Sequence, residues 1–194
     1  LKHIMVQFPL PVIMLSAFTT EGADTTFDCL TLGAVDFICK PGSSRKNIEK
    51  EITILAEKIL GAAGVNIRTS KRMRIKKKKS ARAKRHEPAE RVILMGAGSS
   101  GYGAYLRILP YLSKKIPCAI IAVQYMENKI FQPFCNYLDL YSRISVKAFE
   151  NEEMLEQGVC YFVKQDARLS LEETSLGVYC SLEHKKEKNQ SIIN

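Results

Sequence analysis

The 194-residue chain contains no tryptophan and only three histidines. Its six cysteines, Cys29, Cys39, Cys118, Cys135, Cys160 and Cys180, include no C-x-x-C pair, and no histidine stands at zinc-site spacing from them. A zinc ribbon or finger is excluded, and no metal is expected. Cys29, Cys39, Cys118, Cys135 and Cys160 fall inside apolar patterns, where a free thiol behaves as a small core residue. Reduced cysteines and a cytoplasmic location are therefore expected. No apolar run reaches the roughly 18 residues that a membrane-spanning helix needs. No period of about 20–50 residues recurs, which excludes a solenoid. The apolar stretch after Lys2 and His3 is broken by Gln7, Pro9 and Pro11, and no small-residue cleavage site follows, so a signal peptide is rejected. The first residue is Leu1 rather than Met, and a fragment of a longer chain is expected.

Positive charge is plentiful but confined. The formal net charge is +9, which on its own suggests a nucleic acid or an anionic surface as partner. Arg68–Arg85 holds eleven of the 29 basic residues and no acid; the remaining 18 basic residues face 20 acidic ones, a net of −2. A block of like charge repels itself and stays solvated, so residues 66–89 are expected to form a basic linker. An anion-binding arm is the alternative, but no aromatic residue is interleaved for base stacking, and nucleic acid is not the expected partner.

On either side of this block the pattern is α/β. Residues 11–17 (PVIMLSA) form a short β-branched apolar run, and 20–32 carry Ala23, Phe27 and Leu30 at helical spacing up to Gly33. Ala34–Cys39 predicts a second strand, closed by Lys40-Pro41. Ile48, Ile52, Leu55 and Ile59 line up in steps of 4, 3 and 4, predicting an amphipathic helix over 45–62 with that stripe on its inner face. After the linker, strands are expected at Arg91–Met95, 117–124, 144–149 and 159–164, and helices near 102–113 and 130–141, the latter with Pro133 in its first turn. The tail beyond Leu182 is polar and expected to fray. Strands leading into helices imply parallel sheets.

Gly96-Ala97-Gly98-Ser99-Ser100-Gly101 follows a strand and precedes a helix, which matches the G-x-G-x-x-G turn that cradles a pyrophosphate. The acidic residue that should close the next strand is missing. That strand runs into Gln124-Tyr125-Met126, and Glu127 comes late. A dinucleotide held by Gly96, Gly98 and Gly101 remains a minor reading, and no cofactor is expected.

Residues 10–41 (LPVIMLSAFTTEGADTTFDCLTLGAVDFICKP) resemble the second half of a response-regulator receiver domain, and G-A-V-D-F-x-x-K-P is very like the segment found in chemotaxis protein-glutamate methylesterases, the CheB family. The second half resembles the same family independently. Its G-A-S-T-G-G turn is similar to 96–101, its A-L-x-x-x-L-P to Ala104–Pro110, its V-Q-H-M-P to Val123–Glu127, and its G-x-x-Y to Gly158–Tyr161. The resemblance implies an α/β chain in four parts. They are the C-terminal half of a flavodoxin-like receiver domain (1–65), the basic linker (66–89), the N-terminal half of a Rossmann-like parallel-sheet methylesterase domain (90–182), and a polar tail (183–194). It further implies a receiver phosphorylated by a histidine kinase, an esterase that removes methyl groups from chemoreceptor glutamates, and a Ser-His-Asp triad.

The triad positions depart from the family. The nucleophilic serine falls on Gly98, which has no side chain. The base histidine falls on Tyr125, and a phenol, with an ordinary pKa of about 10, is a poor base at neutral pH. The aspartate lies in a distal segment with no counterpart here. Ser99 is the nearest substitute nucleophile, displaced by one position, with Ser100 next, and a serine needs an adjacent base; the only histidine after the linker is His184, in the tail. On the receiver side, Ser16 fits the family's switch hydroxyl, Phe37 its switch aromatic and Lys40 its phosphoryl-pairing lysine, while the phosphate-accepting and metal-binding acids would precede Leu1. The leading expectation is a truncated, catalytically inactive methylesterase. The alternatives are a pseudoenzyme that docks a receptor, a kinase or the intact esterase, and, from the sheet edges and apolar faces of two half-domains, association with itself or a complementing chain.

Overall fold

The computed structural model describes residues 1–17, 19, 22–40, 48–67, 73–77, 87–98, 101–164 and 166–183. A six-residue helix, α1 (Lys2–Gln7), precedes two parallel strands, β1 (Ile13–Ser16) and β2 (Asp36–Cys39), paired so that Ile13 faces Asp36. Helix α2 (Ala23–Thr31) connects them. Thr19 Oγ1 accepts the Gly22 N–H at its start, and Thr26 Oγ1 donates to the Gly22 carbonyl. Helix α3 (Ile48–Ala63) closes the first half.

The second half is built on a four-stranded, wholly parallel sheet. Its strands are β3 (Val92–Ala97), β4 (Ala119–Gln124), β5 (Ser145–Ala148) and β7 (Val159–Val163), in the order β3-β4-β7-β5. Helix α4 (Tyr102–Ile108), tightened into a 3-10 turn at Leu109–Tyr111, connects β3 to β4, and α5 (Asn128–Tyr141) connects β4 to β5. Three further strands, β6 (Glu152–Met154), β8 (Arg168–Thr174) and β9 (Gly177–Glu183), form an antiparallel sheet in the order β6-β9-β8.

Successive side chains of a strand point to opposite faces, and the central strands show what covers each face. Ile120, Ala122, Cys160 and Phe162 join the core beneath α2, α4 and α5. Ala119, Ile121, Val159, Tyr161 and Val163 join a second core with Leu155 and Cys180 of the antiparallel layer. The central strands β4 and β7 are thus covered on both faces, as their unbroken apolar runs require, while edge strand β3 leaves Ile93 and Leu94 exposed. Among the described residues no helix is long and apolar enough to cross a membrane.

Several expectations are corrected. The stripe predicted for the inner face of α3 faces outward: Ile52 and Ile59 are 58% and 50% exposed. What α3 turns inward is Lys58, whose Nζ lies 2.9 Å from Asp36 Oδ2 and donates to the Phe37 carbonyl at 2.9 Å. A charged pair with further hydrogen-bonding partners takes the buried face here, against the periodicity of the helix. Pro133 lies in the second turn of α5, which starts at Asn128 rather than 130. Helix α1 and the antiparallel sheet were not anticipated. Within the stretch read as a linker, residues 73–77 pack as a strap on the fold. Met73 is buried, its N–H donates to the Thr31 carbonyl, and Lys77 Nζ lies 6.0 Å from the centre of the Tyr141 ring. The polar tail from 184 onward lies outside the described residues.

Candidate active-site turn

The turn after β3 is held from two sides. Behind it, Tyr105 of α4 places its hydroxyl 2.9 Å from both the Met95 and the Val123 carbonyls, donating its proton to one at a time. The hydroxyl spans adjacent strands β3 and β4, and burial pushes its pKa up to about 12. Beside the turn, the fully buried Gln124 closes β4, and its Nε2 donates to the Gly98 carbonyl at 2.5 Å and to the Tyr125 carbonyl at 3.0 Å. Gly101 is confined where the helix begins. Its N–H donates to the Gly98 carbonyl at 3.0 Å, and a Cβ there would run into Ala97 Cβ and Gln124 Oε1. Glycine at 101 is required by this close approach.

Among the described residues, and apart from its chain neighbours, no atom lies within 4 Å of where a Cβ at Gly98 would sit. Tyr125, one residue past β4, is exposed, and its N–H donates to the Ala97 carbonyl at 3.4 Å. Strand pairing therefore brings positions 98 and 125 together at the C-terminal ends of neighbouring strands, with Ala97 opposite Gln124 in the register. Ser99 and Ser100 lie outside the described residues. Strand β4 ends at Gln124 with no carboxylate. Glu127 occupies the position before α5 without a side-chain capping bond, and its Oε2 lies 2.9 Å from Lys129 Nζ. That hydrogen bond raises the Lys129 pKa.

The three positions singled out in the first half lie at the ends of β1 and β2. The Ser16 hydroxyl is 2.9 Å from Thr26 Oγ1, and the Ser16 carbonyl accepts the Lys40 N–H at 2.6 Å. The Lys40 side chain is exposed. Phe37 is buried against Phe27 and Tyr102, with ring centroids 6.0 and 4.9 Å away. Cys39 closes β2, and burial is the main cause that raises its thiol pKa. Tyr102, the first residue of α4, thus joins the two sets of strand ends. The sequence reading passed over Gln124 and Tyr102. A glutamine closing the apolar run Ala-Ile-Ile-Ala-Val was the available signal for the first.

The model of the CheB methylesterase family matches residues 93–193, just over half of the chain. The chain belongs to the CheB methylesterase family. Curated relatives of the family include a protein-glutamate methylesterase/protein-glutamine glutaminase of Bacillus licheniformis, 35% identical over 172 residues, and one of Pyrococcus horikoshii, 36% identical over 176. These alignments cover 83% and 88% of this chain, reaching into its first half, and 48% of each relative. The chain spans about half the length of the curated CheB relatives it matches. Among solved structures, the CheB methylesterase catalytic domain of Thermotoga maritima is 27% identical, with a TM-score of 0.45, over 52% of this chain and 53% of that one.

Proposed function

We propose that this CheB-family chain is a chemotaxis signalling protein without competent ester hydrolysis, made of a partial receiver (1–65), a basic linker (66–89), a partial methylesterase-like domain (90–182) and a polar tail (183–194). The observation that carries the reading is Gly98, a residue with no side chain on the strand-to-helix turn where the family's serine stands. A hydrolysis that proceeds through an acyl-enzyme needs a nucleophile and a base within hydrogen-bond reach of it. Position 98 offers no nucleophile, and position 125, the family's base, is a tyrosine. On this reading Ser16, Phe37 and Lys40 are remnants of a phosphorylation switch, and the chain acts in the cytoplasm by docking a chemoreceptor or its histidine kinase.

The test is methanol release from methylated receptor glutamates by the purified chain, beside a no-enzyme control. Release equal to the control is expected. Release above the control that disappears on Ser99→Ala would overturn the reading, since Ser99 would then have taken over as nucleophile. Capture of the receptor tail or kinase by the chain tests the docking role, and binding of neither would remove it.

A further inference from the structure

We infer that β8 pairs, antiparallel and in one register, with β8 of a second copy of this chain to form a weak homodimer. The inference rests on strand pairing and holds whatever the chemistry at the turn.

Strand β8 is the outer strand of the antiparallel sheet, and no strand of the described residues lies on its other side. Its partner β9 decides which backbone groups point outward. The Val178 N–H donates to the Ala89 carbonyl, the Val178 carbonyl accepts from the Leu155 N–H, and the Leu182 N–H donates to the Asn151 carbonyl, all away from β8. Val178 and Leu182 stand opposite Glu173 and Leu169 in the register, with Cys180 opposite Leu171 between them. These are therefore the pairs without hydrogen bonds between β8 and β9. On β8 the N–H and C=O groups of Leu169, Leu171 and Glu173 consequently point to the open side. Proline, lysine and bulges are the usual devices that blunt such an edge. β8 (RLSLEET) has none of them, and its pairing with β9 runs unbroken from Arg168 to Thr174.

The side chains of β8 suit its own copy. An antiparallel pair centred on Ser170 sets Leu169 opposite Leu171 of the second copy, and each such pair uses the outward backbone groups. Arg168 then meets Glu172 of the second copy, on the exposed face and in the closer, non-hydrogen-bonded pairing. Within its own sheet Glu172 faces Tyr179 rather than a cation. Glu173 falls opposite Ala167 of the second copy, clear of the leucines. Registers that keep the same faces but shift the centre fit less well. Centring on Leu169 opposes Asp166 to Glu172, centring on Leu171 matches neither Arg168 nor Glu172 with a counter-charge, and centring on Glu172 opposes it to itself. Leu169 joins the core between the sheets, while Leu171 on the same face is 44% exposed. The pairing sets Leu169 of the second copy beside Leu171. A contact one strand wide is small beside stable interfaces of about 1,200–2,000 Å², so association is weak.

Sedimentation velocity of the intact chain from about 1 to about 300 μM tests this, a range that brackets weak association. The sedimentation coefficient is expected to rise with concentration toward that of a dimer. Glu172→Arg sets two arginines against each other, and Arg168→Glu sets two glutamates. Each variant alone is expected to associate at least about tenfold more weakly, whereas an equal mixture of the two, whose charges match again, regains the association. A chain that stays monomeric across the range would overturn the inference. So would association that survives both substitutions, or a mixture that fails to regain it with both variants folded by circular dichroism. Ser170→Lys gives a further reading, since it sets two lysines at the centre of the pair. Loss of association supports the register, and unchanged association overturns it.

Discussion

The two halves of this chain bury their apolar side chains by different means. The second half does so around β7, every residue of which is buried between a helical layer and an antiparallel one, while Ile93 and Leu94 of its edge strand stay exposed. The first half does so almost entirely at the other's expense. Phe27, Leu30 and Phe37 are covered by α4 and α5, while Ile52, Ile59 and Leu60 of its own last helix remain exposed.

The largest expected effect comes from the ring shared by both halves. Phe134 is fully buried and touches Phe27, Tyr102 and Phe162. Phe134→Ala should cost about 3–5 kcal/mol of unfolding free energy in urea and loosen α2 along with α5. A loss of that size confined to the second half would break the comparison.

Alkali gives a smaller, graded effect. Burial pushes up the Tyr102, Tyr137 and Tyr161 hydroxyls and the Cys160 thiol, and raises Cys135 to about 12 and Cys180 to about 11. In each case the folded value lies above the unfolded one, near 9 for cysteine and 10 for tyrosine. Stability from these groups is fully present below about pH 9 and is lost as pH rises through the folded values. All six lie in the second half. Circular dichroism melts at increasing pH from about 9 upward should therefore show falling midpoints, with the first half melting alongside the second. A first half that outlasts the second in alkali would refute its dependence.

The smallest expected effect sharpens the comparison from outside. Ile59→Gln, on the exposed face of α3, should change stability by no more than about 0.5 kcal/mol. A loss several times larger, accompanied by a change in sedimentation coefficient, would mean that another surface covers this face in solution.

The α3 stripe also shows where sequence reading succeeds and fails. Asp36–Cys39, Ala119–Gln124 and α5 were legible because continuous apolar runs and helical spacing there agree with the burial that the fold imposes; Ile13–Ser16 is a strand as its apolar run predicts, but not a buried one, with Leu15 56% exposed. In α3 the same signal was clear, but the ion pair of Lys58 with Asp36, 22 positions away, decided which face turned inward, and no local pattern encodes that pair. The β8–β9 hairpin was missed because β8 (RLSLEET) lies mostly in solvent and offers few apolar positions to count. At the turn, positions 98 and 125 were readable from resemblance to the family. The confinement of Gly101 by Ala97 and Gln124 was not, because it arises from two strands meeting.

The support of that turn from behind has a consequence for descent. Tyr105, Gln124 and Gly101 hold the backbone in place without help from any side chain at position 98, and among the described residues no atom beyond its chain neighbours crowds that position. Selection for a folded protein is therefore blind to whether that position carries a hydroxymethyl group. A serine placed at position 98 therefore meets a backbone already held, while Tyr125 still leaves it without an imidazole beside it.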